Sequence, residues 1–590
     1  MRRQESPIPA DEVFHDADPG NPAPSLPPLL DARALTDPDD GRDAIIYVAT
    51  GQPDVHVTRG EFRTAVSCTA HALRRFGIRP GDLVIIAHTQ NLESIFLFWG
   101  ALQAGAVPSM FPTLTEKLDP AIYLRNLAEL VRFSGVRAIL TTDDFAPELA
   151  PHVDCAVYSS GQLGVGSGEL LEGRKKSENL QSPISNLPSP AFLQHSSGTT
   201  GLQKGVALSH TAVLNQIAAY SEAIHLTDHD VIVSWLPLYH DMGLIAGFLL
   251  PLVQGVPLVL MSPFDWVAHP ALLLRAINAH QGTLCWLPNF AYNHMARRIR
   301  QRDKEGMSLA SMRLFINCSE PVRHDSHQLF LEKFAAHGVT AVTLGVSYAM
   351  AENTFAVTQT PPGQPARLDV IDAVVLQETG YAKPVPADHP QADVRVSCGP
   401  PIAGTAVRAL DADGRSLPER TVGELAIRSS YMLSEYYHRP DLQPFHDGWF
   451  RTGDRGYLAD GEVYVIGRSK DLIINAGKNV YPQDIEAIVN TVPDVHAGRA
   501  VVFGVPDERE GTELIAVVAE TAVTDPAARQ ELVKAIRQEV ARQSTVTVSF
   551  VELVDAKWLI KTSSGKIARA ANRDKWLQSR PASPSQTQKR

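Results

Sequence analysis

Short runs of apolar residues recur along this chain between stretches of helical periodicity, and that alternation constrains the fold more than any other feature. Asp82-Leu83-Val84-Ile85-Ile86-Ala87 is the first clear run. Others are Ala138-Ile139-Leu140, Val231-Ile232-Val233, Pro257-Leu258-Val259-Leu260, Leu284-Cys285-Trp286-Leu287 and Leu314-Phe315-Ile316. A strand that is apolar at successive positions is buried on both faces, as happens in parallel sheets covered by helices. One intervening helix reads residue by residue. Thr58-Arg59-Gly60-Glu61 is a capping-box pattern, Phe62, Val66, Thr69, Leu73 and Phe76 follow at helical spacing, and Gly77 ends it. The uncharged stretch 243–261 contains Pro251, Gln254, Gly255 and Pro257. Those breakers predict a buried helix, a turn and a buried strand rather than a membrane span.

The fold class that follows is α/β, a large N-terminal body of mostly parallel, helix-covered sheets. From about Ser469 the pattern changes to a small α+β unit. Asp525-Pro526 opens a helix with Leu532, Ile536 and Val540 on one face. A β-branched strand is predicted over residues 546–551. The expected domains are a disordered arm at 1–28, which holds seven prolines, a body at 29–468, the small unit at 469–577 and a disordered tail at 578–590. The polar stretch 161–190 reads as a linker, because its glycines are spaced Gly-x-Gly-x-Gly and lack the dinucleotide pattern.

Composition excludes several function classes. Of 590 residues, 44% are hydrophobic and 20% charged, with a formal net charge of −11. That is enough apolar material for an ordinary core, and the sign offers nucleic acid or anionic lipid nothing to grip. Five scattered cysteines without a Cys-x-x-Cys pair argue against a disulfide framework and a structural zinc site, and favour a reducing cytoplasm. Met1-Arg2-Arg3 is followed by a polar, Pro-rich segment, so no secretory h-region is expected. No Gly-x-Ser-x-Gly elbow or His-Glu-x-x-His helix occurs.

The most informative local sequence is Ser196-Ser197-Gly198-Thr199-Thr200-Gly201-Leu202-Gln203-Lys204-Gly205. Small hydroxyl residues and glycines let backbone N–H groups close around phosphate oxygens, and Lys204 adds charge. The lysine spacing is not that of a Walker A loop. This segment resembles the adenylate-forming superfamily, and four others resemble it in family order. They are Tyr348-Ala349-Met350-Ala351-Glu352, Trp449-Phe450-Arg451-Thr452-Gly453-Asp454, Gly467-Arg468-Ser469-Lys470-Asp471 and Thr562-Ser563-Ser564-Gly565-Lys566.

The resemblance implies a role for each. Ser197, Gly198, Thr199, Thr200, Gly201 and Lys204 would hold the phosphates of ATP. Ser319, Glu320, Pro321, Tyr348 and Ala349 would form the adenine site, with Asp454 and Arg468 at the ribose or phosphate. Glu352 and Thr199 would hold Mg²⁺, Lys470 would be the hinge, and Lys566 the catalytic lysine of a mobile C-terminal lid. Three of these also make sense without context: a carboxylate at Asp454 accepts two hydrogen bonds from a cis-diol, Glu352 is a hard oxygen ligand, and Lys566 neutralises developing negative charge.

Two further segments resemble fatty acyl-AMP ligases in particular: Ser234-Trp235-Leu236-Pro237-Leu238-Tyr239-His240-Asp241-Met242-Gly243-Leu244-Ile245, and Leu287-Pro288-Asn289-Phe290-Ala291-Tyr292. They imply a catalytic His240 beside the reacting carboxylate and an acyl channel walled by His240, Asp241, Asn289, Phe290 and Tyr292. The 47 residues from Glu352 to Gly399 resemble the insertion those ligases carry. Asn317-Cys318 and the alanine after Tyr348 depart from commoner family residues.

The implied activity is ATP- and Mg²⁺-dependent conversion of a fatty or other aliphatic acid to acyl-AMP. Transfer to the phosphopantetheine thiol of a separate acyl carrier protein would follow, since no Gly-x-Asp-Ser carrier signature is present. Two alternatives remain at this level, an acyl-CoA synthetase and a non-catalytic nucleotide- or lipid-binding relative. The second requires an idle Lys204, Glu352, Asp454, Arg468 and Lys566.

Overall fold

The structure is a computed structural model that describes residues 29–114, 120–165, 190–196, 204–475, 478–507, 512–544, 546–562 and 566–579. The N-terminal arm, most of the 161–190 linker, Ser197, Gly198, Thr199, Thr200 and Gly201 lie outside them, as do Ser563, Ser564 and Gly565.

Each apolar run becomes a strand. One sheet has seven strands in the order Leu344–Val346, Leu314–Asn317, Leu284–Leu287, Ile232–Ser234, Leu258–Met261, Asp43–Val48 and Val55–Thr58. Every neighbouring pair is parallel except the last. A second, all-parallel sheet orders Val107–Met110, Leu83–Ala87, Ala138–Thr141 and Ala156–Ser159. The central strands are buried along their length because helices cover both faces.

The helix Arg59–Arg75 has the expected capping box, with Thr58 accepting from the Glu61 N–H and Glu61 returning the bond. Phe62, Val66, Thr69 and Leu73 are buried, whereas Phe76 lies beyond the last helical residue and is exposed. In the stretch 243–261 the chain runs as a π-helix over Met242–Leu249, continues as an α-helix over Leu250–Gln254, turns at the left-handed Gly255 and enters the strand Leu258–Met261. Pro251 does not break this helix. A proline has no N–H to give and crowds the carbonyl one turn back, and the wider π turn ahead of it removes that conflict.

Two glycines let the π-helix sit close against the sheet. A Cβ on Gly243 would lie 2.1 Å from the Pro237 carbonyl oxygen, and one on Gly247 2.5 Å from Ser234 Oγ. The Pro237 carbonyl accepts the His240 N–H, so it cannot yield without moving His240. Gly243→Ala is therefore expected to lower the urea midpoint, at an overpacking cost of about 1–3 kcal/mol, and to reduce activity beyond what lost stability explains. Denaturation and rate measurements on the same sample check both effects.

The body ends in an antiparallel sheet not signalled by the apolar runs: Thr405–Leu410, Gly423–Ser429, Trp449–Ala459 and Phe445–His446, with Glu462–Arg468 paired to Trp449–Ala459. A single turn of 3-10 helix, Ser469–Asp471, leads to the small C-terminal unit. There Val495–Asp507, Thr512–Thr521 and Val548–Val554 form a mixed sheet. Helices Pro482–Val489, Pro526–Gln543 and Arg569–Gln578 accompany it. Asp525 caps the middle helix, and Leu532, Ile536 and Val540 are its buried face. The last strand starts two residues later than the β-branched run suggests, and the final helix extends to Gln578. Among the described residues no helix is long and apolar enough to cross a membrane.

Candidate active site

Strand Ile232–Ser234 delivers the chain to the sheet's C-terminal edge, where His240 and Asp241 stand at the start of the π-helix. Asp241 is 8% exposed. Its Oδ1 accepts the Met242 N–H at 2.8 Å and lies 2.6 Å from His240 Nδ1. With Nδ1 turned to the carboxylate, His240 presents Nε2 to the site. Lys566 Nζ approaches that nitrogen at 3.4 Å. Burial lowers the Lys566 pKa below the ordinary lysine value, while the charges of Asp241 and Glu320 work against the fall. Burial raises the Asp241 pKa, but the His240 charge and hydrogen bond and the Lys566 charge outweigh it and leave it lowered. The carboxylate, imidazole and ammonium form one line from the body to the C-terminal unit.

A second cluster lies on the antiparallel sheet. Asp454 and Arg468 are cross-strand partners, and Arg468 Nε donates to Asp454 Oδ1 at 3.2 Å. The Tyr348 hydroxyl donates to Asp454 Oδ2 at 2.7 Å. Burial and the Asp454 charge hold the Tyr348 hydroxyl well above its ordinary pKa, so it remains a donor. A carboxylate has about four acceptor positions, and these two bonds leave room for two hydroxyl donors.

Glu352 is half-buried and feels the charges of both Asp241 and Arg468. Its Oε1 accepts from the Tyr436 hydroxyl at 3.0 Å, and its backbone carbonyl accepts the Leu433 N–H. Burial raises its pKa, with Asp241 adding to the rise. Lys204 Nζ stands 4.9 Å from the centre of the Tyr436 ring. Tyr436 thus joins the end of the 197–204 loop to Glu352, and nothing local in Glu435-Tyr436-Tyr437 singled it out. An open cleft of about 440 Å³ extends from Lys204 and Tyr436 to His446 and Arg451.

The segment Ser319-Glu320-Pro321, an adenine-site candidate, turns sharply. Ser319 has φ +70°, rarely adopted by a residue with a Cβ. This turn sends Glu320 back to accept the Phe290 N–H at 2.9 Å, in the first turn of the helix Asn289–Arg298. Pro321 follows at the surface.

The acyl candidates divide by environment. Asn289 Oδ1 accepts from Asn317 Nδ2 and the Arg323 N–H, while its Nδ2 donates to Ser326 Oγ. Tyr292 is fully buried against His327 and Phe330, with its hydroxyl unpaired. Phe290, by contrast, is 40% exposed and meets the stacked indoles of Trp235 and Trp266 edge-on. Lys470 lies in the 3-10 turn, and burial lowers its pKa.

Three comparisons place this chain. The profile of the AMP-binding enzyme family matches residues 31–437, and that of the AMP-binding enzyme C-terminal domain matches residues 484–566. The chain is similar to the medium-chain-fatty-acid–[acyl-carrier-protein] ligase JamA of Moorena producens, at 32% identity over 91% of this chain and 93% of that one. It is also similar to the long-chain-fatty-acid–AMP ligase FadD26 of Mycobacterium marinum, at 32% identity over 85% and 88%. A solved structure from work on the fatty acyl-adenylate ligases of E. coli and L. pneumophila superposes with a TM-score of 0.83 at 27% identity, covering 94% of this chain and 98% of its own. The chain belongs to the AMP-binding enzyme family of the adenylate-forming superfamily, and it is an ATP-using, AMP-forming acyl ligase.

Proposed function

We propose that this ligase converts a fatty or related aliphatic acid to acyl-AMP in the cytoplasm and passes the acyl group to the phosphopantetheine thiol of a separate acyl carrier protein. The observation that carries this reading is the approach of Lys566 to His240 from the opposite domain, 3.4 Å away. It supports a lid, residues 469–577, docked on a body, residues 29–468, in the arrangement suited to adenylate formation.

The acid's carboxylate oxygen attacks the α-phosphorus of ATP, and the bond to the pyrophosphate oxygen breaks. Lys566 offsets charge on the carboxylate and α-phosphate oxygens. His240, oriented by Asp241, holds the carboxylate for in-line approach. Asp454 takes the ribose hydroxyls, Arg468 adds charge beside it, and the Tyr348 ring, held by its bond to Asp454, offers a face to adenine. Ser197, Gly198, Thr199, Thr200, Gly201 and Lys204 would hold the departing phosphates; of these the structure describes Lys204, which lines the cleft with His446 and Arg451.

Mg²⁺ fits this site through Glu352. Among the described residues no group of three acidic, His or Cys side chains could cage a metal. A half-buried carboxylate hydrogen-bonded to a neutral Tyr436 hydroxyl would instead suit an ion held mainly by triphosphate and water. Bound there with Thr199, the ion would supply charge neutralisation. Rotation about Lys470 would then withdraw Lys566 and admit the acceptor.

The relatives' names support a fatty acid and a carrier protein. The interval after Glu352 also supports the carrier. Its strands Leu368–Asp372 and Ala392–Val396 pair, and its helix Ala373–Thr379 packs on the lid strand Lys478–Val480. A carrier protein has surface with which to favour a rotated lid, and free CoA has less. ATP–pyrophosphate exchange over a panel of acids, followed by addition of CoA or holo-carrier, tests this reading. Acyl loading of the carrier should exceed acyl-CoA formation by about tenfold or more. Acyl-CoA made as fast as adenylate would replace this reading with an acyl-CoA synthetase.

A further inference from the structure

An ionic cluster outside the reacting site ties the lid to the body. Asp484 stands in the first turn of the lid helix Pro482–Val489. Arg395, on the strand Ala392–Val396, donates to both its carboxylate oxygens, at 3.3 and 3.0 Å. Arg323, just ahead of the body helix His324–Phe334, reaches Asp484 Oδ1 at 3.4 Å and donates to the Gln483 carbonyl. The Arg395 and Asp484 side chains are only 17% and 25% exposed. Burial alone would raise the Asp484 pKa, but the charges of Arg395 and Arg323 hold it below its usual range.

Two features make this more than a surface ion pair. The guanidinium groups come from separate elements of the body, so together they fix the direction of the lid helix as well as its proximity. Arg395 is itself largely buried. Its other acidic partner is Asp393, and its Nε is buried without a partner. Removing the partner of a buried charge leaves the desolvation cost in place without the attraction that offset it. Rotation about Lys470 would carry Asp484 away from both arginines. Lys478 with Glu378, and Tyr481 packed with Ile371 and Leu376, complete the same contact.

We propose that Asp484 is a positioning residue, whose grip on Arg395 and Arg323 keeps Lys566 at His240 for adenylate formation and opposes the lid rotation that transfer requires. This inference rests on the two-position lid of the proposed function.

The test uses full-length protein with spin labels on body and lid, as wild type, Asp484→Asn and Arg395→Gln. Each variant should lower the docked fraction seen by electron-spin distance measurement. The kcat of ATP–pyrophosphate exchange should fall about tenfold, with KM for ATP within about twofold. Transfer from added acyl-adenylate to CoA should rise several-fold. The double variant should be little worse than either single one, as expected for partners in one contact. Unchanged docking and exchange, or equal losses in exchange and transfer, would overturn the proposal. If wild type loads no carrier, the acceptor reading fails on that result, while docking and exchange still decide the role of Asp484.

Discussion

Lys566→Ala is expected to slow adenylate formation by at least about a hundredfold while sparing transfer from pre-formed acyl-adenylate. Lys566 Nζ stands 3.4 Å from His240 Nε2, and in the proposed function that is where the reacting carboxylate would enter. A unit charge about 4 Å from developing negative charge is worth roughly 4 kcal/mol at an effective dielectric near 20. That corresponds to about three powers of ten in rate. The remaining charge of Arg468 is expected to keep the observed loss near the lower figure. Burial lowers the Lys566 pKa, so the ammonium is present at low pH and is lost as pH rises through a value below the ordinary lysine pKa. The alkaline limb of exchange should therefore fall earlier than an exposed lysine would allow, and the Ala variant should lack that limb. Single-turnover measurement of each half-reaction checks the division, and equal losses in both would remove Lys566 from it.

The second large effect is expected at Asp454. Hydrogen bonds to a charged acceptor are worth about 1.5–3 kcal/mol each, so losing two at a ribose weakens ATP by at least about a hundredfold. The sharper readout is discrimination. Wild type should prefer ATP to 2′-deoxy-ATP clearly, and Asp454→Ala should treat them nearly alike. This ratio is insensitive to how much protein is folded. That matters because Asp454 is itself 8% exposed and anchors both Tyr348 and Arg468. Some loss of stability should therefore accompany the variant. Discrimination that survives in the variant would take Asp454 out of the ribose site.

The interval after Glu352 is also partly buried. Ile371, Leu376 and Ala382 belong to one apolar cluster with Tyr457, Tyr464 and the lid's Tyr481. Deleting residues between 360 and 390 would open that cluster as well as free the lid. Point changes at Asp484 or Arg395 separate the two effects.

Local sequence carried the parts of this molecule whose physics is local. A run such as Leu83–Ala87 has no polar face to show water, so it must be an inner strand. Thr58 and Glu61 lie three residues apart and close their capping box without help from the rest of the chain. The antiparallel sheet over 405–468 was not legible in this way, because its strands are half-exposed and mix polar with apolar residues. Pro251 also looked like a break, since a π turn that accommodates proline depends on close packing at Gly243 and Gly247.

By itself the sequence determined which residue types are available: the glycines and hydroxyls of residues 196–205, the carboxylates Glu352 and Asp454, His240 and Lys566. Tertiary structure alone decided which of them meet. Lys566 reaches His240 across 326 positions of chain, Tyr348 reaches Asp454 across 106, and Tyr436 reaches Glu352 across 84. The contact of Asp484 with Arg395 and Arg323 has no local motif at all. Backbone preference and side-chain periodicity act over a few residues, whereas a charge or hydrogen-bond donor takes its strength from whatever the fold brings within about 4 Å and from how completely water is excluded there.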